Sequence, residues 1–381
     1  MKSKVIFLIS CLFILLSSTA HSFDVRQWEA DFWSEMRSRD IPWVWALSLH
    51  NLSGSVKDMD QSKEVVEVVI DKLLAHPSPG AESLYWAALA CANVERHKDI
   101  CRVPELVKRL MEVDGENVYS FAIYYDTELS SRLKQHGTSD ESLDWSHFDS
   151  WLERAAGLNK VESYDSVHFA EMVRILEEYG QTEGVPSYLK GAPLEWKAAF
   201  YIIDQLVYPW FGITGRISWQ CKMALSAGKM KMVDLCKTLA EKLINNSKSI
   251  LARSDALFIL SETYSKKEPE FIRYKREAVA WPEPVRYCLN RMWKFSEQKW
   301  PVRYDAYEFA EGYESNGEIA ALQRLAESEG WVYQDKDGNK YECTDTLELD
   351  DEALILFMGK DPAWQWCGDG DLCDLPRPLN Q

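Results

Sequence analysis

The chain has 381 residues, 46% of them hydrophobic and 27% charged, close to the average of water-soluble globular proteins, which sets aside disordered, collagen-like and polytopic membrane classes. Lys and Arg number 43 against 60 Asp and Glu, a net charge of −17, so non-specific attraction to nucleic acid or anionic lipid is not what organises this protein. The length is that of two to three domains and buries a sizeable core without help from metals.

Residues 1–22 have the three-part layout of a secretory signal peptide: Lys2 and Lys4, an apolar run from Val5 to Leu16, then the small polar stretch Ser17-Ser18-Thr19-Ala20-His21-Ser22. Twelve residues rise only about 18 Å as a helix, short of the ~30 Å of a bilayer core, so cleavage is expected rather than anchoring. Small-x-small spacing allows a cut after Ala20 or after Ser22. A lipobox at Leu8-Ile9-Ser10-Cys11 is disfavoured because the apolar run continues past Cys11 to Leu16. The expected mature protein is periplasmic or secreted, with no membrane association. It loses two lysines and no acid, which takes the net charge from −17 to −19.

Beyond the leader, helical spacing dominates. Trp43 and Trp45 follow Pro42 at a helix start. Val65, Val66, Val69, Ile70, Leu73 and Leu74 recur at three- and four-residue steps, as do Leu106, Val107, Leu110 and Met111, and later Leu235, Leu239, Leu243 and Ile244. Breaks fall at His76-Pro77-Ser78-Pro79-Gly80, at Gly137-Thr138-Ser139-Asp140 and at Glu183-Gly184-Val185-Pro186. Trp210-Phe211-Gly212 follows Pro209 in a further break.

Without Cys11 the chain holds eight cysteines: Cys91, Cys101, Cys221, Cys236, Cys288, Cys343, Cys367 and Cys373. Export permits disulfides. Cys91 and Cys101 flank the polar link Glu95-Arg96-His97-Lys98-Asp99, and Cys221 and Cys236 flank Ser226-Ala227-Gly228-Lys229. Residues at matching distance from the turn of an antiparallel helix pair face each other, so both couples are expected to bond. Cys367 and Cys373 flank a Gly-rich loop and pair locally; Cys288 with Cys343 follows by elimination. No CxxC or HExxH spacing suggests zinc, and no cofactor is expected.

The stretch from Pro79 to Val113 reads as helix, turn, helix. Asp114-Gly115-Glu116-Asn117 then opens a new unit in which Phe121 stands thirty-five residues after Trp86. With Trp86, Leu89 and Ala90 at the first pattern positions, this resembles tetratricopeptide and related Sel1-type repeats. Asn93 replaces the family's Tyr and Gly115 its Pro. The resemblance covers about a third of the chain and implies a protein-binding helical array. A second hairpin runs from Trp219 to Asn246.

From Val302 to Gln381 there are nineteen acids and six bases. Trp331-Val332-Tyr333-Gln334 and Lys340-Tyr341-Glu342-Cys343 alternate around Asp335-Lys336-Asp337-Gly338-Asn339, the pattern of a β-hairpin. Its Asp residues do not form a calcium loop, because glycine falls fourth rather than sixth and Thr346 stands where a Glu is needed.

The expected architecture is all-α: a leader over 1–22, antiparallel helix pairs in a solenoid-like or superhelical array over 23–330, and an acidic cap with β-hairpin and disulfide loop over 331–381. The expected function is a non-catalytic, exported scaffold binding a protein or peptide, with Trp43, Trp45, Trp210, Trp364 and Trp366 as candidate anchors. The rival is a glycan-binding or glycan-cleaving (α/α)-type helical protein. Its paired carboxylates would have to face each other, whereas Glu308, Glu311 and Glu314 fall on one helix face and read as solvated surface.

Overall fold

The computed structural model describes residues 27–55, 59–93, 100–136, 145–164, 167–183, 193–196, 198–199, 211–246, 250–280, 304–330, 332–334 and 340–342. These are mostly helical. In chain order the helices are α1 (27–38), α2 (Pro42–Ser55), α3 (Met59–Ala75), α4 (Ala81–Asn93), α5 (Val103–Asp114), α6 (Val118–His136), α7 (Trp145–Gly157), α8 (Phe169–Glu183), α9 (Phe211–Ser226), α10 (Met230–Asn246), α11 (Ile250–Ser261), α12 (Pro269–Ala280), α13 (Ala306–Asn316) and α14 (Glu318–Glu329). The described residues fall into two compact units, one within residues 1–113 and 171–202, the other within 114–170 and 203–381. The expected leader, the breaks at 137–140 and 184–186, Trp210, Trp364, Trp366, and Cys288, Cys343, Cys367 and Cys373 lie outside the described residues.

In the first unit, every residue from Trp43 to Leu49 on α2 and from Ser83 to Cys91 on α4 is buried. A helix buried on all faces belongs at the centre of its layer, and α2 packs on both α3 and α4. By contrast α5 buries one stripe, Leu106, Val107 and Leu110, at the three- and four-residue spacing of an outer helix. The α3 C-terminus carries carbonyls without intrahelical partners. Arg109 of α5 answers them, donating to the backbone oxygens of Leu73 at 3.3 Å, Leu74 and His76, with its cation at the negative end of the helix dipole. Cys91 and Cys101 are bonded, with Cα atoms 5.8 Å apart.

In the second unit, Trp151 of α7 packs on Tyr125 and Phe121 of α6, centroids 4.6 and 6.0 Å away, and its indole N–H donates to the Phe121 carbonyl at 3.2 Å. Lys242 of α10 repeats the capping device at the end of α7, donating to the carbonyls of Ala156 and Leu158. Helix α9 packs on α10 and α11, α10 on α11, and α11 on α12. The α9–α10 turn is closed by Gly228 at φ +67°: the Lys229 N–H reaches Ala224 O at 2.9 Å and the Gly228 N–H reaches Leu225 O at 3.0 Å, the paired bonds of a Schellman motif. Cys221 and Cys236 join the same two helices, Cα atoms 6.0 Å apart.

Farther along, Asp305 caps α13 by accepting from the N–H groups of Tyr307 and Glu308, and Gly317 at φ 88° turns the chain into α14. The Phe169 ring stacks on Tyr313 with centroids 4.5 Å apart. Val332–Gln334 and Lys340–Glu342 pair antiparallel, Tyr333 opposite Tyr341; residues 335–339 between them lie outside the described residues.

Candidate functional site

Trp43 and Trp45 are 5% and 4% exposed. These two candidate anchors sit in the core of the first unit, in a stretch buried at every residue from Trp43 to Leu49, so neither indole lies on an exposed face. The Trp45 indole N–H donates to Arg39 O at 2.6 Å, and the Lys72 ammonium lies 4.9 Å from its ring. Glu308, Glu311 and Glu314 are all exposed on α13, with Glu314 also accepting the Ala170 N–H at 3.3 Å.

Among the described residues of the second unit, three polar centres stand out. The first grows from the Asp114–Asn117 link. Asn117 is fully buried; its Nδ2 lies 3.0 Å from Asp114 Oδ2 and from Tyr164 Oη and 2.9 Å from Glu162 O, while its Oδ1 accepts from the N–H groups of Tyr119 and Glu162 at 3.2 and 3.3 Å. The Tyr164 hydroxyl donates to Asp114 and stands 2.8 Å from Ser120 Oγ. Lys160 completes the cluster, with Nζ 2.9 Å from Asp114 Oδ1 and 3.0 Å from Glu162 Oε2. Burial, then the bond to Asp114, pushes the Tyr164 pKa well up. Burial works against the Lys160 ammonium, but its bonds to Asp114 and Glu162 outweigh that and raise its pKa. These groups clamp residues 158–164 to the start of α6.

The second centre is Lys275 of α12, 4% exposed. Its ammonium lies 4.8 Å from the Phe258 ring, 5.6 Å from the Phe271 ring and 2.6 Å from Glu262 Oε1; Glu262 Oε2 is 3.5 Å from Lys222. Burial lowers the Lys275 pKa, and Glu262 opposes that. One carboxylate thus ties α9, the end of α11 and α12. The third centre joins α6, α7 and α9: His147 Nε2 is 3.5 Å from Glu128 Oε2, Tyr124 donates to Glu128 Oε1 at 2.5 Å, Tyr125 stacks on the imidazole, and Gln220 donates to Tyr125 Oη at 2.8 Å. Among the described residues no group of three or more His, Cys, Asp or Glu is placed to hold a metal ion, and no helix is long and apolar enough to cross a membrane.

The surface carries a different feature. Trp219 on α9 is 38% exposed and Met230, opening α10, is 55% exposed. Trp219, Lys222 and Ser226 follow at helical steps along one face of α9, and Lys229, Met230 and Lys231 begin the returning helix, all exposed. Sequence reasoning took Trp219 only as a hairpin boundary. A signal was present: the twenty-nine residues from Gln205 to Val233 contain no Asp or Glu, in a chain with 60 of them.

The fold and these centres define a helical, disulfide-cross-linked protein, and the two cysteine pairs fit an oxidising compartment. Comparison with protein families, with curated proteins and with solved structures finds no match for this chain.

Proposed function

We propose that this is an exported helical scaffold that binds a protein or peptide partner, and that the turn end of the α9–α10 hairpin is part of the binding surface. The observation that carries this reading is the exposure of Trp219 and Met230 on a hairpin pinned by Cys221–Cys236. Large apolar side chains held on a rigid frame lose little entropy on binding, and Trp is enriched among residues that dominate interfaces. The contact order supports stacked helix pairs of the tetratricopeptide kind: α9 meets both its hairpin partner α10 and the first helix of the following pair, α11. Residues 331–381 would then cap the array, and the leader and the two cystines fit a periplasmic or secreted location.

The test is affinity capture from the native envelope fraction with the wild-type chain and with Trp219→Ala/Met230→Ala. A specific partner retained by the wild type and lost by at least about tenfold in the variant supports the reading. Equal recovery by both chains contradicts it, as does recovery of no protein together with release of sugar from cell-wall material, which would favour the glycan-active alternative.

A further inference from the structure

Both cystines close locally. Cys91 bonds to Cys101 and Cys221 to Cys236, at sequence separations of 10 and 15. Each bond joins two cysteines with no third cysteine between them. The ends of a flexible chain meet less often as roughly the −3/2 power of their separation. For the first couple the nearest competitor is Cys11, 80 residues before Cys91, a closure roughly twentyfold less favourable than the one observed. For the second it is Cys288, 52 residues after Cys236, roughly sixfold less favourable. The observed partners are thus those that an unfolded chain already prefers. The turn at Gly228 adds to the preference, since Cys221 and Cys236 stand seven and eight residues to either side of it.

Burial sets when these bonds can form. Cys91 and Cys101 are 2% and 1% exposed, and Cys221 and Cys236 are both 0% exposed. Thiol–disulfide exchange requires a thiolate to reach a sulfur and to pass through a mixed disulfide with the other molecule. A sulfur enclosed in this way cannot carry such an adduct while its helices stay packed.

We infer that this protein is the substrate of an external disulfide-bearing oxidant, which acts on the chain before α4 and α5 and then α9 and α10 are packed, and that no disulfide-isomerising step follows. One cysteine thiolate of a couple attacks a sulfur of the oxidant's disulfide. That S–S bond breaks, one oxidant thiolate leaves and takes up a proton, and a mixed disulfide remains. The second cysteine thiolate attacks the protein sulfur of the mixed disulfide and expels the other oxidant thiolate, which is protonated in turn. Each cystine formed reduces one oxidant disulfide to two thiols, and the two protons taken up are those the cysteines release. Packing of the helices then closes the sulfurs to further exchange. This order of events is independent of whether the α9–α10 hairpin binds a partner.

The experiment uses the full chain with glutathione disulfide as the oxidant. The chain is reduced in concentrated guanidinium chloride and freed of reductant, the oxidant is added in the denaturant, and the denaturant is then diluted. Remaining thiols are alkylated and the links mapped by peptide mass spectrometry. Cys91–Cys101 and Cys221–Cys236 should each exceed every other link made by these four cysteines at least about fivefold. A protein disulfide isomerase added to a second portion should change their yield by less than about twofold. Any other link at comparable yield, or a larger gain with isomerase, would overturn the inference. A second measurement tests the order of oxidation and packing: protein carrying both cystines is exposed to dithiothreitol with and without denaturant. Both bonds should open at least about tenfold more slowly without denaturant, because the reductant has to form the same kind of mixed disulfide. Equal rates would show that the packed helices admit the exchange, and oxidation would then not have to come first.

Discussion

At the scale of single residues, the strongest energetic statements concern charges removed from water. Lys275 sits between two phenylalanine rings with Glu262 as its counter-charge. Removing one partner of such a pair strands the other, at a typical cost of about 3–5 kcal/mol, while an apolar replacement of the stranded group is often tolerated. Glu262→Gln is therefore expected to destabilise by about 3 kcal/mol. Lys275→Met, which leaves Glu262 with Lys222 and keeps an unbranched stem against Phe258 and Phe271, should stay within about 1.5 kcal/mol of wild type. Urea denaturation of both variants decides this; a larger loss in Lys275→Met would contradict the assignment. The pH dependence has a definite sign. Burial holds the folded Lys275 pKa below its ordinary value, so the unfolded chain binds more protons in that window. The stability of Glu262→Gln, in which the counter-charge is gone, should rise as pH increases towards 10.5.

Tyr164 has the opposite sense. Burial and Asp114 raise its pKa above the ordinary 10.0, so the folded chain keeps a proton that the unfolded chain releases. The stability this supplies is complete below about pH 10 and is lost as pH rises further. Tyr164→Phe should cost about 1–3 kcal/mol at neutral pH, because Asp114 and Asn117 lose a buried partner, and should flatten the decline above pH 10. Thermal melts from pH 7 to 11 read both effects. Asp114 and Asn117 were legible in the sequence as a link between helices. Their partners Lys160 and Tyr164 were not, since a contact across nearly fifty residues leaves no trace in local spacing. Nothing in periodicity marks Lys275 as buried either, because a lysine on a mostly polar α12 looks like any other.

At the scale of elements, two different kinds of closure hold neighbouring helices. The Schellman turn at Gly228 depends on a left-handed backbone, and no neighbouring atom lies within 4 Å of where a Cβ would sit. Gly228→Ala therefore meets no steric clash and should cost only the backbone penalty, about 1–2 kcal/mol by urea denaturation. The Cys221–Cys236 link closes a separation of 15 residues, and replacing both cysteines by serine should lower stability by about 3 kcal/mol on the chain-entropy account. Both staples could be placed from the sequence because a helix pair with a short turn fixes which residues face each other. The tryptophans could not be sorted the same way. Pro42-Trp43-Val44-Trp45-Ala46-Leu47 reads as a helix start, and a segment apolar at nearly every step is one with no solvent face; Trp43 to Leu49 are buried accordingly.

At the scale of the whole molecule, helical content followed from apolar spacing, while the division into two units, each built from two separated stretches of chain, depends on long-range packing that spacing does not encode. What the chain does reveal at this scale is its charge layout: an acidic C-terminal stretch and an acid-free run ending in α10. The account of this protein rests on helix pairs fixed by sulfur in an oxidising compartment, since that rigidity is what lets Trp219 and Met230 stay exposed on a defined surface. Non-reducing peptide mapping of the protein isolated from its native source, with free thiols alkylated at lysis, tests this most directly. The account predicts two linked peptides, Cys91 with Cys101 and Cys221 with Cys236. Alkylated thiols at these four positions, or bonds that exchange their partners, would contradict it.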